Sequence, residues 1–248
     1  MAAGRQQQGY LLTDIQVSMR VFRSQSARQY PLTLLLIAGL ATIVSGLSSA
    51  EILPESDSLL HKIEQQHGGY ARNRVIIWEQ LINRNKNADN LEKLRVVNNF
   101  FNKMNFANDI DHWGKEDYWA TPLQMLTSNG GDCEDYSIAK YFTLRKMGIP
   151  ADRMRLTYVK ALELNQAHMV LTYYPTPDAV PLVLDNLVND IKTTSNRKDL
   201  LPVYSFNGKD LWLAKKRGND QHIGQSGRLS RWQGVIARIS IEESHLTR

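Results

Sequence analysis

The sequence predicts an α+β protein in which helices come first and an antiparallel sheet follows. Three observations predict it. Apolar residues recur at helical spacing from about Glu51 to Met104 and again from Ile138 to Met147. After Pro150 the period changes to two. At the end of the helical half, Gly130-Gly131-Asp132-Cys133-Glu134-Asp135-Tyr136-Ser137 places the single cysteine of 248 residues at a helix start. A run of helices followed by a run of strands packs as layers of one domain.

Each element has its own signals. Ser56-Asp57-Ser58 opens a short helix through Gln65, closed by Gly68-Gly69. Ala71 to Arg84 is a second helix, with Val75, Ile76, Trp78, Leu81 and Ile82 as its apolar stripe. Asn87 to Asn90 precede a third, striped by Leu91, Leu94, Val96, Val97, Phe100, Phe101 and Met104. Residues 105–121 are polar, aromatic and loop-like, with Trp113, Tyr118 and Trp119 available to wall a cleft or to pack under the loop. Pro122 starts a short helix, Leu123 to Leu126. The helix after Cys133 carries Ile138, Tyr141, Phe142, Leu144 and Met147, and Gly148 and Pro150 stop it. Gly130 and Gly131 read as a loop that tolerates positive φ.

Beyond Pro150, Arg153–Lys160, His168–Tyr174 and Val180–Asp185 read as strands, with turns at Glu163–Ala167 and Pro175–Asp178. Asn207-Gly208 between Val203–Phe206 and Asp210–Leu213 is a hairpin signal. Arg217 to Gly227 reads as a mobile loop, Leu229 to Ile241 as a final helix or an edge element, and the last residues as solvated.

Composition bounds what this fold can do. At 42% hydrophobic and 22% charged residues, the chain is an ordinary globular one with material for a core. One cysteine excludes an intrachain disulfide framework and any multi-cysteine zinc site. Residues 1–50 differ in kind. Arg5, Arg20, Arg23 and Arg28 precede an uncharged run from Leu32 to Val44, and Ser48 and Ala50 stand at the −3 and −1 positions of a cut after Ala50. That is the layout of a secretory signal peptide; an N-terminal anchor is the alternative. The expected organisation is a signal peptide or anchor over 1–50, one domain over 51–216, and a loop-and-tail extension of that domain over 217–248. Residues 1–50 hold four Arg and one Asp, so the net charge of +5 falls to +2 without them. No nucleic-acid partner is predicted.

The chemistry gathers at Cys133. A helix N-terminus favours a thiolate, and a thiol nucleophile needs a base and an orienting acceptor. Of six histidines, His168 alone heads an apolar strand. A strand histidine by itself reads as structural. If Pro175–Asp178 is a four-residue loop, however, Tyr174 faces Ala179 and His168 faces Asp185 across the hairpin, close enough for an imidazole–carboxylate bond. A one-residue slip would part them, and Asp185-Asn186 also reads as a plain strand-ending turn.

Asp132, Glu134 and Asp135 oppose a thiolate. At ~6 Å and an effective dielectric of ~20, one such charge costs about 3 kcal/mol, roughly two pK units. As plain helix-start acids they would cap the helix and favour its dipole. Alternatively a hard divalent cation gathers these oxygens, and calcium suits an oxygen-only, exported site. For the oxyanion, the Cys133 N–H is the first donor, with a second expected from residues 113–121.

Gly131–Tyr136, preceded by Asp117-Tyr-Trp-Ala-Thr-Pro122 and followed by Ala167–Val170 and Leu184–Asn186, resembles the bacterial transglutaminase-like cysteine proteases of the LapG type. The resemblance spans roughly residues 52–215. It implies a papain/transglutaminase-like core with Cys133 as nucleophile, His168 as base and Asp185 as its orienter. It also implies calcium bound by the acids flanking the cysteine, with Asp132 and Glu134 first and Asp135 next. Such enzymes are periplasmic and cleave a large surface adhesin at an Ala-Ala bond near its N-terminus. They are held inactive by an inner-membrane cyclic di-GMP receptor of the LapD type. The rivals are transglutaminase-like acyl transfer on the same three residues and a non-catalytic periplasmic binding module.

Overall fold

The computed structural model describes residues 55–214 and 220–244, all within one unit spanning Glu51–Arg248. The segment 1–50 expected as a signal peptide or anchor lies outside the described residues, as do 215–219 of the expected loop and the last residues, 245–248.

Helices α1 (Glu55–His67), α2 (Gly69–Asn85) and α3 (Asn90–Phe101) form the first half. Gly68, at φ 82°, makes the sharp joint between α1 and α2 that a side chain would strain. Asp89 caps α3 by accepting the Glu92 N–H at 2.9 Å. The expected loop 105–121 is partly ordered: it holds β1 (Asn105–Phe106) and α4 (Asp109–Trp113). Helix α5 (Pro122–Ser128) starts on a capping box between Thr121 and Gln124, with proline in its first turn. Strand β2 (Gly130–Gly131) pairs in parallel with β1 and leads into α6 (Cys133–Lys146).

Helix α6 is buried on almost every side, polar Ser137, Lys140 and Thr143 included. It is the central helix rather than a one-faced surface one. Gly148, at φ 91°, closes it, and the Gly148 and Ile149 N–H groups take the Arg145 and Leu144 carbonyls.

The sheet is antiparallel in the order β6-β5-β4-β3-β7-β8-β9. Its members are β3 (Met154–Ala161), β4 (Gln166–Tyr173), β5 (Leu182–Leu184), β6 (Lys192–Thr193), β7 (Leu200–Phe206), β8 (Asp210–Leu213) and β9 (Gln221–Gln225). Two expectations are corrected here. Part of the expected mobile loop is the edge strand β9, paired to β8; its polar sequence lacks the apolar alternation that marks a strand. The β4–β5 connection runs from Tyr174 to Pro181, not Pro175 to Asp178, so Leu171 faces Leu184 instead of Leu182. The pairing is off by two residues, which preserves the face each side chain occupies.

The chain closes with α7 (Ser230–Ser244), a helix rather than an edge element. Its Trp232 is fully buried. That ring stacks on Phe142 at 5.5 Å and meets Phe206 edge-on at 5.3 Å. One cluster of aromatic and aliphatic residues thus joins α6, the inner sheet face and α7.

Candidate active site

The two glycines before Cys133 are required by crowding, not by positive φ. A Cβ at Gly131 would stand 2.7 Å from the Asp135 Cβ, and one at Gly130 3.1 Å from the Asn105 carbonyl. The left-handed residue of this approach is Asn129, at φ 62°. Asp132 occupies the N-cap of α6, yet its carboxylate makes no capping bond. Strand β5 pairs only with Leu171–Tyr173 of β4, which leaves the β4 edge open at Met169. The first turn of α6 fills that notch. Ser137 Oγ lies 3.0 Å from Met169 O, and the Met169 N–H points at the Cys133 sulfur. The sulfur thereby reaches β4 one residue along from His168.

His168 is buried and its Nε2 lies 2.8 Å from Asp185 Oδ1. The predicted directly opposed pair is instead a diagonal one, because of the two-residue offset. The same Oδ1 accepts the Leu187 N–H at 3.0 Å, and Oδ2 accepts Arg197 Nη2 at 2.7 Å. Burial works to raise the Asp185 pKa, but the His168, Leu187 and Arg197 bonds outweigh it and hold the group down at about 2. An ionised Asp185 accepts only, so Nε2 carries the proton it shares and Nδ1 is the nitrogen left for a thiol. The bond the thiol makes is a different one, to Glu134 Oε2 at 3.1 Å. Burial first, then the charges of Glu134 and Asp132, push the Cys133 pKa up.

Those acids belong to a larger cluster. Asp132, Cys133 and Glu134; Asp109, Asp132 and Asp135; and Asp109, Asp117 and Glu134 each bring one ligand atom per residue within 4.8 Å of the others. Burial, then the neighbouring acids, raises Asp132 to about 10. Burial raises Asp135 to about 8 and Asp109 to about 6, against the hydrogen bonds that each accepts. Asp109 Oδ1 and Asp132 Oδ1 are buried without a hydrogen-bond partner. Crowded carboxylates with orphaned oxygens and no nitrogen ligand fit a hard divalent cation. Asp135 also holds the neighbouring wall, accepting the Ala120 N–H at 2.6 Å and Trp113 Nε1 at 3.4 Å.

Residues 76–212 match the bacterial transglutaminase-like cysteine proteinases. The chain belongs to this family. Among solved structures it is 44% identical to EGTA-treated LapG of Legionella pneumophila, over 73% of this chain and 96% of that one, at a TM-score of 0.65. To the calcium-bound form of the same protein it is 42% identical, over 73% and 98% of the two chains, at a TM-score of 0.64. A search of curated proteins gave no match. The papain/transglutaminase-like fold and the cysteine-protease class follow from the family. Among the described residues, no helix is long and apolar enough to cross a membrane.

In this proteinase the segment 117–121 serves two sides. Its Tyr118 and Ala120 N–H groups are bound by Asp109 and Asp135, so neither is free to be the expected second oxyanion donor. Its outer side is held by α7: Thr121 Oγ1 donates to Glu242 Oε1 at 2.6 Å, and Arg238 Nη2 donates to the Trp119 carbonyl. The aromatic trio divides. Trp119 is buried against Phe206 at 5.7 Å, whereas Trp113 and Tyr118 are half-buried and adjoin each other at 5.1 Å. The sequence did not mark Asp109, Asp117, Arg197 or Asn102 as site residues. Asn102 Nδ2 donates to the Asp185 carbonyl at 2.8 Å. A signal existed for Asp109 and Asp117, as acids in a polar stretch beside the cysteine loop, but none marked which would turn inward.

Proposed function

We propose that the protein is a calcium-dependent periplasmic cysteine endopeptidase, made with residues 1–50 as a signal peptide. Its substrate is a large cell-surface adhesin, cut near the adhesin's N-terminus at an Ala-Ala bond, so that cleavage releases it and promotes biofilm dispersal. An inner-membrane cyclic di-GMP receptor of the LapD type restrains it. The likeness to LapG supports this reading. The observation that carries it is the Asp185–His168 bond together with a helix-start cysteine in an acidic cluster where Asp132 and Asp109 each keep a buried oxygen without a partner.

In the mechanism, Asp185 holds His168 Nε2–H, and Nδ1 takes the proton from Cys133 Sγ. The thiolate adds to the scissile carbonyl, with the Cys133 N–H at the helix start stabilising the oxyanion. His168 returns its proton to the departing amine as the C–N bond breaks. A water deprotonated by His168 then hydrolyses the thioester, freeing the new carboxyl terminus and the sulfur. Asp132 and Glu134, with Asp135 and Asp109 behind them, would hold calcium. When bound, the cation offsets the negative charge that disfavours a thiolate.

Cys133→Ala is expected to abolish cleavage of the adhesin's N-terminal region while leaving the melting temperature near that of the parent. Full cleavage by this variant would sink the proposal. An added amine acceptor separates hydrolysis, which leaves two fragments, from acyl transfer, which leaves cross-linked product.

A further inference from the structure

The hydrogen bonds at Asp185 do not stop at His168. The carboxylate is fully buried, and its second oxygen meets the equally buried guanidinium of Arg197 at 2.7 Å. Asp199 grips the same guanidinium from outside: Nε lies 3.0 Å from Oδ1 and Nη2 2.7 Å from Oδ2. Arg197 stands just past the short 3-10 turn Thr194–Asn196, between β6 and β7, and its carbonyl accepts the Leu200 N–H at 3.1 Å. Its backbone is therefore fixed as well as its side chain. The charged groups that face Asp185 are His168 from β4, Arg197 and the like charge of Asp199 from this connection and, at longer range, Lys140 from α6.

During turnover His168 alternates between neutral and protonated. A buried carboxylate whose sole partner was that imidazole would lose its counter-charge in every neutral phase. It would then take up a proton itself and stop accepting the Nε2–H. A guanidinium is charged throughout. We propose that Arg197 is a positioning residue: it keeps Asp185 an acceptor through both charge states of His168, and so keeps Nδ1 directed to Cys133. Asp199 fixes the plane of the guanidinium. This rests on the roles proposed above for His168 and Asp185.

The test uses the full chain. In a Cys133→Ala background, proton NMR reads the low-field resonance of the His168 Nε2–H, assigned by its loss in His168→Gln. With Arg197 present it should persist from about pH 5 to about pH 8. In Arg197→Met it should be lost as the pH falls and Asp185 takes up a proton, and Arg197→Lys should restore much of it. In protein with its cysteine, Arg197→Met should lower kcat on a cleaved peptide on the order of 100-fold with KM little changed. A folded Arg197→Met with parent resonance and parent kcat overturns the proposal. If Arg197→Met does not fold, Asp199→Asn takes its place with a smaller loss in both readouts, and parent values there overturn it equally. A low-field resonance that survives His168→Gln would instead overturn the His168–Asp185 pairing on which the proposal rests.

Discussion

Among the described carboxylates Asp132 and Asp135 are displaced furthest, held mainly by burial at about 10 and about 8 against an ordinary 3.8. The sign of the consequence follows from proton counting. Below pH 3.8 folded and unfolded chains are both protonated there; above it the folded chain keeps protons that the unfolded chain releases, so stability falls as pH rises. Without calcium, the melting temperature should therefore drop between pH 5 and pH 8, and saturating calcium should flatten that slope. Equal slopes with calcium and with EGTA would count against a cation site. Asp185 behaves oppositely: held at about 2, it lends stability that is lost only as pH falls through that value. Gly131 makes a steric prediction. In Gly131→Ala the new methyl meets the Asp135 Cβ at 2.7 Å, and overpacking of this kind costs about 1–3 kcal/mol, readable by urea denaturation. At this scale the sequence was legible where chemistry and spacing coincide: Cys133, His168, Asp185 and the acids beside the cysteine. Asp109, Asp117 and Arg197 were not, because each lies in or beside a connection, Asp109 at the start of the five-residue α4, whose path no local pattern dictates.

Elements explain why the readable residues came together despite a misjudged turn. The β4–β5 connection is longer than its proline-marked centre suggests, yet an offset of two residues keeps His168 and Asp185 on one face. Parity was legible; register was not. Polar β9 escaped notice for lack of alternation, and α7 could not be told from an edge strand by period alone. Helix α7 matters beyond its span, since it lies outside the family match yet fastens segment 117–121 through Glu242 and Arg238. Glu242→Ala should loosen that segment and weaken calcium binding several-fold by isothermal titration, with the overall fold kept. Unchanged affinity would show α7 to be packing alone. Trp232→Ala is expected to cost about 3–5 kcal/mol, because its fully buried ring fills the junction of α6, α7 and the sheet.

As a whole molecule, the protein sets one buried helix against a notch in an antiparallel sheet. The cysteine then stands at the meeting of three things: the open edge of β4, the His168–Asp185–Arg197 chain, and the acidic cluster. The α+β class was plain from the change of period after Pro150. How the three meet was not, since it depends on β5 stopping short. Calcium control of the nucleophile by the acidic cluster is what joins them in the proposed enzyme. Its most direct measurement is the rate at which iodoacetamide alkylates Cys133 at neutral pH, in calcium and in EGTA. Calcium should speed the reaction by at least about tenfold, the effect of one pK unit on the thiolate fraction. Equal rates in the two conditions would contradict calcium control.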